Sequence, residues 1–439
     1  MRSQLRFIKW RPKVWVASIL IFSAFCSGLR LEIGTIGISM SHLLIPIILT
    51  YHAARWSHNK TIFRISISGA DVLLLCVWLI SMISTFLFSG LPMRSITGAL
   101  NLTSFLVLFF ICKWTFRELT AQQLFSTLVQ SAKLAAWFGV LCLVIAWSTG
   151  ANNLGATFDH INKFNVASVA QAIPSIRSFS IEPNLFGITT GAVLSIVAAI
   201  YLTDIRGARI TGAFAILGLA FFLSYTRSAF VGLAMAFLVM VFVSKRKAVL
   251  SRLLAIGLLA VFTLAVILVL LPDESSFKKA VYYKMGFGLF DFSTGTAIPR
   301  LVSMEEAWRG FKQSPLIGNG IFSANNVFVN PHTGEVTGTA GPVGWLNGLF
   351  FQALHDTGMF GLICWFFFFA FFLFQNFNVY RLLPNSIERS MVLGFLGGNI
   401  VILVGSQASS VVWISFPFVY WAINLALLQY CKTQLRVNS

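Results

Sequence analysis

Charge is scarce in this chain, and acidic charge is scarcest: 14 Asp and Glu stand against 32 Lys and Arg in 439 residues. Only 10% of the residues are charged. A soluble protein carries about 25%, so a water-solvated globule is excluded. Cysteine is also sparse. Cys26, Cys76, Cys112, Cys142, Cys364 and Cys431 all lie in or beside apolar runs. None clusters in a polar loop, which argues against a disulfide framework and a cysteine metal site. Walker, Rossmann and HExxH patterns are missing. No Asp-x-Asp or tight carboxylate cluster appears in the long polar segments, so no cation-holding carboxylate set is expected there. The first apolar run lacks a small-x-small cleavage pattern, and Phe25 before Cys26 does not suit lipidation. That run is expected to stay as a helix.

Hydrophobic residues are plentiful, at 57%. Charge-free stretches near the length of a bilayer-crossing helix recur along the whole chain. They are too long for barrel strands and do not alternate with period two. The expected fold is all-α and polytopic, with about twelve transmembrane helices. Spans are placed near 14–29, 34–52, 70–89, 95–112, 127–148, 184–203, 210–225, 228–243, 252–271, 346–374, 390–406 and 409–430.

The net charge of +18 then marks loops facing the cytoplasm rather than a nucleic-acid site. With the N-terminus inside, the short inner segments carry Arg2, Lys9, Arg55, Lys60, Lys113, Arg117, Arg206, Lys245 and Arg381, among others. This is the positive-inside pattern. Both termini are expected in the cytoplasm. Two longer segments, near 149–183 and 272–345, fall outside. The chain divides into helices with one outer loop over 1–271, a large loop over 272–345, and the last helices and tail over 346–439. Within the large loop, Leu301, Met304, Trp308 and Phe311 recur at helical spacing between Pro299 and Pro315. Their apolar face would lie on the membrane surface or on the bundle.

Residues that cost energy where they sit mark the candidate site. Arg227 stands in "SYTRSAFVG", a short outer turn between apolar runs, where an arginine needs a partner or water. Arg177 and Glu182 lie in "RSFSIEPNLFG" just before the sixth span. Glu182 and Asn184 suit a helix start, but capping does not explain Arg177. Arg300, Arg309, His332 and His355 follow on the same side. Guanidinium forks match phosphate oxygens, so arginines at one membrane surface suit a diphosphate headgroup. Lone histidines have a plain alternative, as an exposed loop residue for His332 and a bundle residue for His355.

Four segments carry a family resemblance. "LSYTRSAFVGLAMAF" resembles the T-x-SR-small-x-x-x-G helix start of the O-antigen ligase and O-antigen polymerase superfamily. "PRLVSMEEAWRGFKQSPLIGNGIF" is similar to its arginine, tryptophan helix and P-L-x-G-x-G signature. "NGLFFQALHDTGMFGL" resembles its HN-x-[YF]-L-Q-x-x-x-E-x-G-x-x-G segment, and "RSFSIEPNLFG" the EPN element of the polymerase-like branch. The resemblance implies a GT-C-like glycosyltransferase of the bacterial inner membrane that uses neither metal nor cofactor. Its donor would be an oligosaccharide on undecaprenyl diphosphate, within membrane lipid, with no nucleic acid involved and with a chain-length regulator as a further partner. Arg227 and Arg300 match the family's two arginines, and Arg177 matches one in the earlier loop. Glu182, Arg309, Gln352 and His355 are taken as donor-binding positions. The family's general-base histidine falls on Asn347, and its next asparagine on Gly348. A neutral amide cannot serve as a general base. Either His332 or His355 supplies one, or none is used. Polymerisation of repeat units for O-antigen or exopolysaccharide is the leading reading. Alternatives are a ligase to a lipid acceptor, a flippase for the same carrier, and an assembly protein without catalysis.

Overall fold

The computed structural model describes residues 12–33, 36–59, 67–149, 161–166, 169–176, 178–180, 182–202, 208–244, 297–324, 327–329, 336–339, 346–384, 386–409 and 411–438, besides 266, 269, 270 and 272. The described helices are α1 (Pro12–Phe25), α2 (Met40–Asn59), α3 (Gly69–Phe88), α4 (Pro92–Phe116), α5 (Ala121–Thr149) and α6 (Pro183–Leu202). They continue as α7 (Ala208–Leu223), α8 (Arg227–Ser244), α9 (Ala297–Gln313), α10 (Leu349–Leu382), α11 (Ile387–Gly405) and α12 (Ser415–Asn438). Among the described residues, 7 helices are long and apolar enough to cross a membrane. Shorter apolar helices at α1, α2 and α7 accompany them. The chain is an all-α polytopic membrane protein. Each expected span coincides with one of these helices, except 252–271, which falls almost wholly outside the described residues.

Caps explain where several helices begin. Ser68 and Asp71 close a capping box at α3. Thr120 and Gln123 exchange backbone-to-side-chain bonds of 3.0 and 3.3 Å before α5, so that helix starts earlier than its apolar run. At α2 the start is later than the expected 34. Residues Arg30–Ile33 (β1) and Ile36–Ser39 (β2) pair as an antiparallel hairpin. The Ser39 backbone N–H donates to His42 Nδ1 at 3.2 Å, which fixes the helix start just after it. The expected outer segment 149–183 holds a second hairpin, Ile161–Val166 (β3) with Val169–Ile176 (β4). A third, Val327–Val329 (β5) with Val336–Thr339 (β6), lies in the large loop.

The bundle is built around α6, which is almost wholly buried. Lipid offers no hydrophobic drive for helix association, so close approach of small residues must supply the packing. Ser195 of α6 donates to the Gly394 carbonyl of α11 at 2.9 Å. A Cβ at Gly394 would overlap Ile196, and one at Gly398 would overlap Tyr420 and the Ala192 carbonyl. The far side is closed by rings, with Trp421 of α12 edge-on to Phe368 of α10 at 4.7 Å.

The two ends of the bundle differ. At one end Lys113 pairs with Asp71, His52 bonds Thr115 at 3.0 Å, and Arg389 lies over the Tyr380 ring. The other end gathers the α3–α4 turn, the starts of α6, α8 and α10, and the end of α11. Thr226 donates to the Pro183 carbonyl at 3.0 Å. Leu349 N donates to the Ser406 carbonyl at 2.7 Å. Ser84 donates to the Asp356 carbonyl at 2.6 Å. The chemistry-bearing residues lie here.

Candidate functional site

The start of α8 forms one flank. Tyr225 adopts φ 50, which turns the chain sharply between α7 and α8. Burial pushes its phenol up to about 12, so it stays a neutral hydroxyl two residues before Arg227. Gly187 of α6 lies against Thr226 and Ser224, where a Cβ would overlap both side chains. That fit holds the Arg227 turn beside the Glu182–Pro183 start of α6. Arg227 and Glu182 are both partly exposed. The last turn of α11 stands between this flank and the next. Gly232 of α8 abuts Val401 and Val404, and Gln407 abuts Gly348.

The start of α10 forms the second flank. Asn347 is partly exposed and its Nδ2 donates to Ser303 Oγ of α9 at 3.5 Å. Ser303 lies three residues after Arg300, less than one helical turn, so α9 brings the backbone of Arg300 to this end. The side chain of Arg300 is outside what is described. Arg177 and His332 are outside the described residues.

Gln352, His355 and Asp356 lie deeper and are buried. Asp356 is the hub. His355 Nδ1 lies 2.8 Å from its Oδ1, while Gln352 Nε2 donates to Oδ2 at 2.5 Å. The Phe322 backbone N–H also donates to Oδ2, at 3.2 Å. Gln352 spends its other end on the Leu346 N–H, at 2.6 Å. Both ends of its amide are thus engaged within the protein. His355 is likewise turned inward, with its ring against Gly310 of α9. Arg309 is exposed and ion-paired with Glu306, one turn earlier on α9.

Just below the hub α10 breaks. Gly358 takes φ 62, ψ −160, a conformation open essentially to glycine alone. The bonds that Met359 and Phe360 would make to residues 355 and 356 are lost. The P-L-I-G-N-G loop replaces them on both sides. Met359 N donates to the Pro315 carbonyl at 2.9 Å and Phe360 N to the Leu316 carbonyl at 3.2 Å. In return, Asn319 N donates to the His355 carbonyl at 2.9 Å and Gly320 N to the Asp356 carbonyl at 3.1 Å. A broken helix at membrane depth is tolerated only when its backbone is paired again in this way. Gly318, at φ 82, permits the approach, since a Cβ there would overlap the Asp356 backbone. The glycines of the two signatures are thus two halves of one junction.

The structure brings Glu182, Arg227, Arg309, Asn347, Gln352 and His355 to one end of the bundle. Asp356 as a hub escaped the sequence reading, as did Ser84, Ser303 and Asn319. For Asp356 a signal existed: it is the acidic member of the Q-x-x-x-E spacing, one turn from Gln352 on the same helix face.

A family model described as O-antigen ligase matches residues 212–366. This stretch is similar to that family. It runs from α7 to just past the break in α10. It therefore takes in Arg227, Arg300, Arg309, Asn347 and the Asp356 hub, and leaves Arg177 and Glu182 outside. No curated protein matches the chain. The match supports, at a coarse level, a membrane protein of the O-antigen ligase and polymerase type with a lipid-linked glycan as substrate.

Proposed function

We propose that the chain polymerises oligosaccharide repeat units carried on undecaprenyl diphosphate, at the periplasmic face of the bacterial inner membrane. The observation that carries the reading is the gathering of Arg227 and the α9–α10 junction at one end of the bundle, inside the stretch similar to the O-antigen ligase family. In the proposed step an acceptor hydroxyl attacks the anomeric carbon of the donor sugar. The new glycosidic bond forms as the bond to the diphosphate breaks, and the electron pair leaves with the lipid diphosphate. The hydroxyl proton passes to His332 or to the departing diphosphate. Arg227 and Arg300 stabilise the charge that builds on the leaving group, so their effect is greatest in the transition state. No metal takes part in this step. Asp356 does not touch the reacting atoms. It fixes the junction that carries α9, and so acts as a positioning residue.

Arg227→Ala and Arg300→Ala are each expected to abolish polymer while lipid-linked single units accumulate. Normal chain lengths in both variants would remove the reading. The family description favours a second reading, a ligase that moves finished glycan to a lipid acceptor. Purified protein given only lipid-linked repeat units separates the two, since a polymerase extends them and a ligase needs its other acceptor. A flippase is supported less well. Among the described residues, the buried charged groups Asp71, Lys113, Glu306 and Asp356 sit toward the ends of the bundle, not along a central path.

A further inference from the structure

Helix α9 is built inside out for a loop helix in water. Its buried residues are small or polar: Ser303, Glu306, Ala307 and Gly310. Two of its large apolar residues point away from the protein, Met304 at 41% and Trp308 at 54% exposure, while Phe311 is half-buried. At about 100° per residue the helix divides into three arcs. One faces the bundle. The next carries Met304, Trp308 and Lys312, with the Lys312 ammonium 5.7 Å from the Trp308 ring centre. The third carries Glu305, Arg309 and Gln313, all exposed. A helix lying in water against a protein needs only two faces. Three faces match three surroundings, namely protein, lipid and water.

The apolar arc also has a neighbour. The chain leaves α9 into Leu316, which is 56% exposed and whose carbonyl accepts from the N–H of Phe360. Phe360 in turn begins the outward apolar surface of α10 that continues through Ile363 and Phe367. On a membrane-spanning helix that surface meets lipid tails. Leu316, just past the end of α9, ties that helix to the end of this surface nearest the site. Tryptophan beside a long cationic side chain is the usual composition at the boundary of tails and headgroups.

We infer that α9 is an interfacial helix whose Met304–Trp308–Lys312 arc rests in the bilayer. The tails meet Met304 and Trp308, and lipid phosphates meet Lys312. The occupant is bulk membrane phospholipid. The inference rests on the membrane fold alone and not on the polymerase reading.

The test uses the full chain in nanodiscs of phosphatidylethanolamine and phosphatidylglycerol. A genetically encoded ketone residue carries a spin label at position 304, 305, 308 or 313, which avoids the native cysteines. Power saturation then reads collisions with oxygen, which partitions into tails, and with a water-soluble nickel chelate. The ratio of oxygen to nickel accessibility is expected to be several-fold higher at 304 and 308 than at 305 and 313. Equal ratios would overturn the inference. Shielding of 304 and 308 from both reagents would also overturn it, since protein would then cover the arc. An independent reading uses Trp308→Phe, a substitution that keeps an apolar ring. It should remove part of the tryptophan fluorescence that phospholipid brominated near the headgroup quenches. Unchanged quenching would count against the arc lying in lipid.

Discussion

Two buried carboxylates sit at opposite ends of this bundle, and they are built differently. Asp71 closes the start of α3. It accepts from the Ser68 backbone N–H at 2.5 Å, from the Ser68 hydroxyl at 2.8 Å and from the Lys113 ammonium. Its partners are its own cap and a full cation on the adjacent helix. Asp356 is held differently. It draws on an imidazole and an amide of its own helix and on a backbone N–H from the large loop, while its carbonyl receives Ser84 of α3. The first arrangement staples neighbours. The second holds together segments far apart in sequence, around a helix that is deliberately broken. A buried charge with a full partner is mainly a matter of stability, whereas a hydrogen-bonded network at a junction sets position.

Substitutions at the two ends should separate these roles. Lys113→Ala leaves the Asp71 carboxylate buried without its cation, at a cost of about 3–5 kcal/mol. Thermal unfolding in nanodiscs should show the largest fall of the set, while polymer made per folded molecule stays near that of the unaltered protein. Loss of activity in the folded fraction would erase the distinction between the two ends. Asp356→Asn keeps the shape but turns one acceptor into a donor facing Gln352 or Phe322. Its stability loss should be smaller, about 1–3 kcal/mol. Its turnover should fall about tenfold or more with donor affinity held, as expected when about 1.4 kcal/mol or more of transition-state stabilisation is lost. Donor affinity falling in step with turnover would instead make Asp356 part of the binding surface. Arg309→Ala removes an exposed partner of Glu306. It should lower stability less than Lys113→Ala, because solvent at the exposed Arg309 screens the pair, and polymer yield far less than Arg227→Ala.

The spans were legible because lipid imposes one rule on sequence: about twenty residues without charge. The start of α2 was not, because Ser39 and His42 set it locally within an apolar stretch. Likewise, α9 was legible from its spacing between two prolines. Which of its faces meets the bundle was not, since the buried side consists of Ser303, Ala307 and Gly310, residues that carry no hydrophobic signal. Arg227 stood out through the cost of an arginine between apolar runs. As a hub Asp356 did not, because Ser84 and Phe322 lie far from it in sequence. The motif glycines could be read as a pattern, and Gly318 and Gly358 acquire a physical reason only once the two backbones are seen to cross there.

For the proposed transfer, the end that bears Arg227 and the α9–α10 junction must face away from the cytoplasm. A single cysteine at the exposed Gln313, in a chain with its native cysteines replaced by serine, reads this directly. In intact spheroplasts a membrane-impermeant maleimide should label position 313 at once. A matching cysteine at Lys432, on the opposite end, should be labelled only after permeabilisation. The reverse pattern would put the arginines on the cytoplasmic side, and the proposed transfer to a periplasmic acceptor would be contradicted.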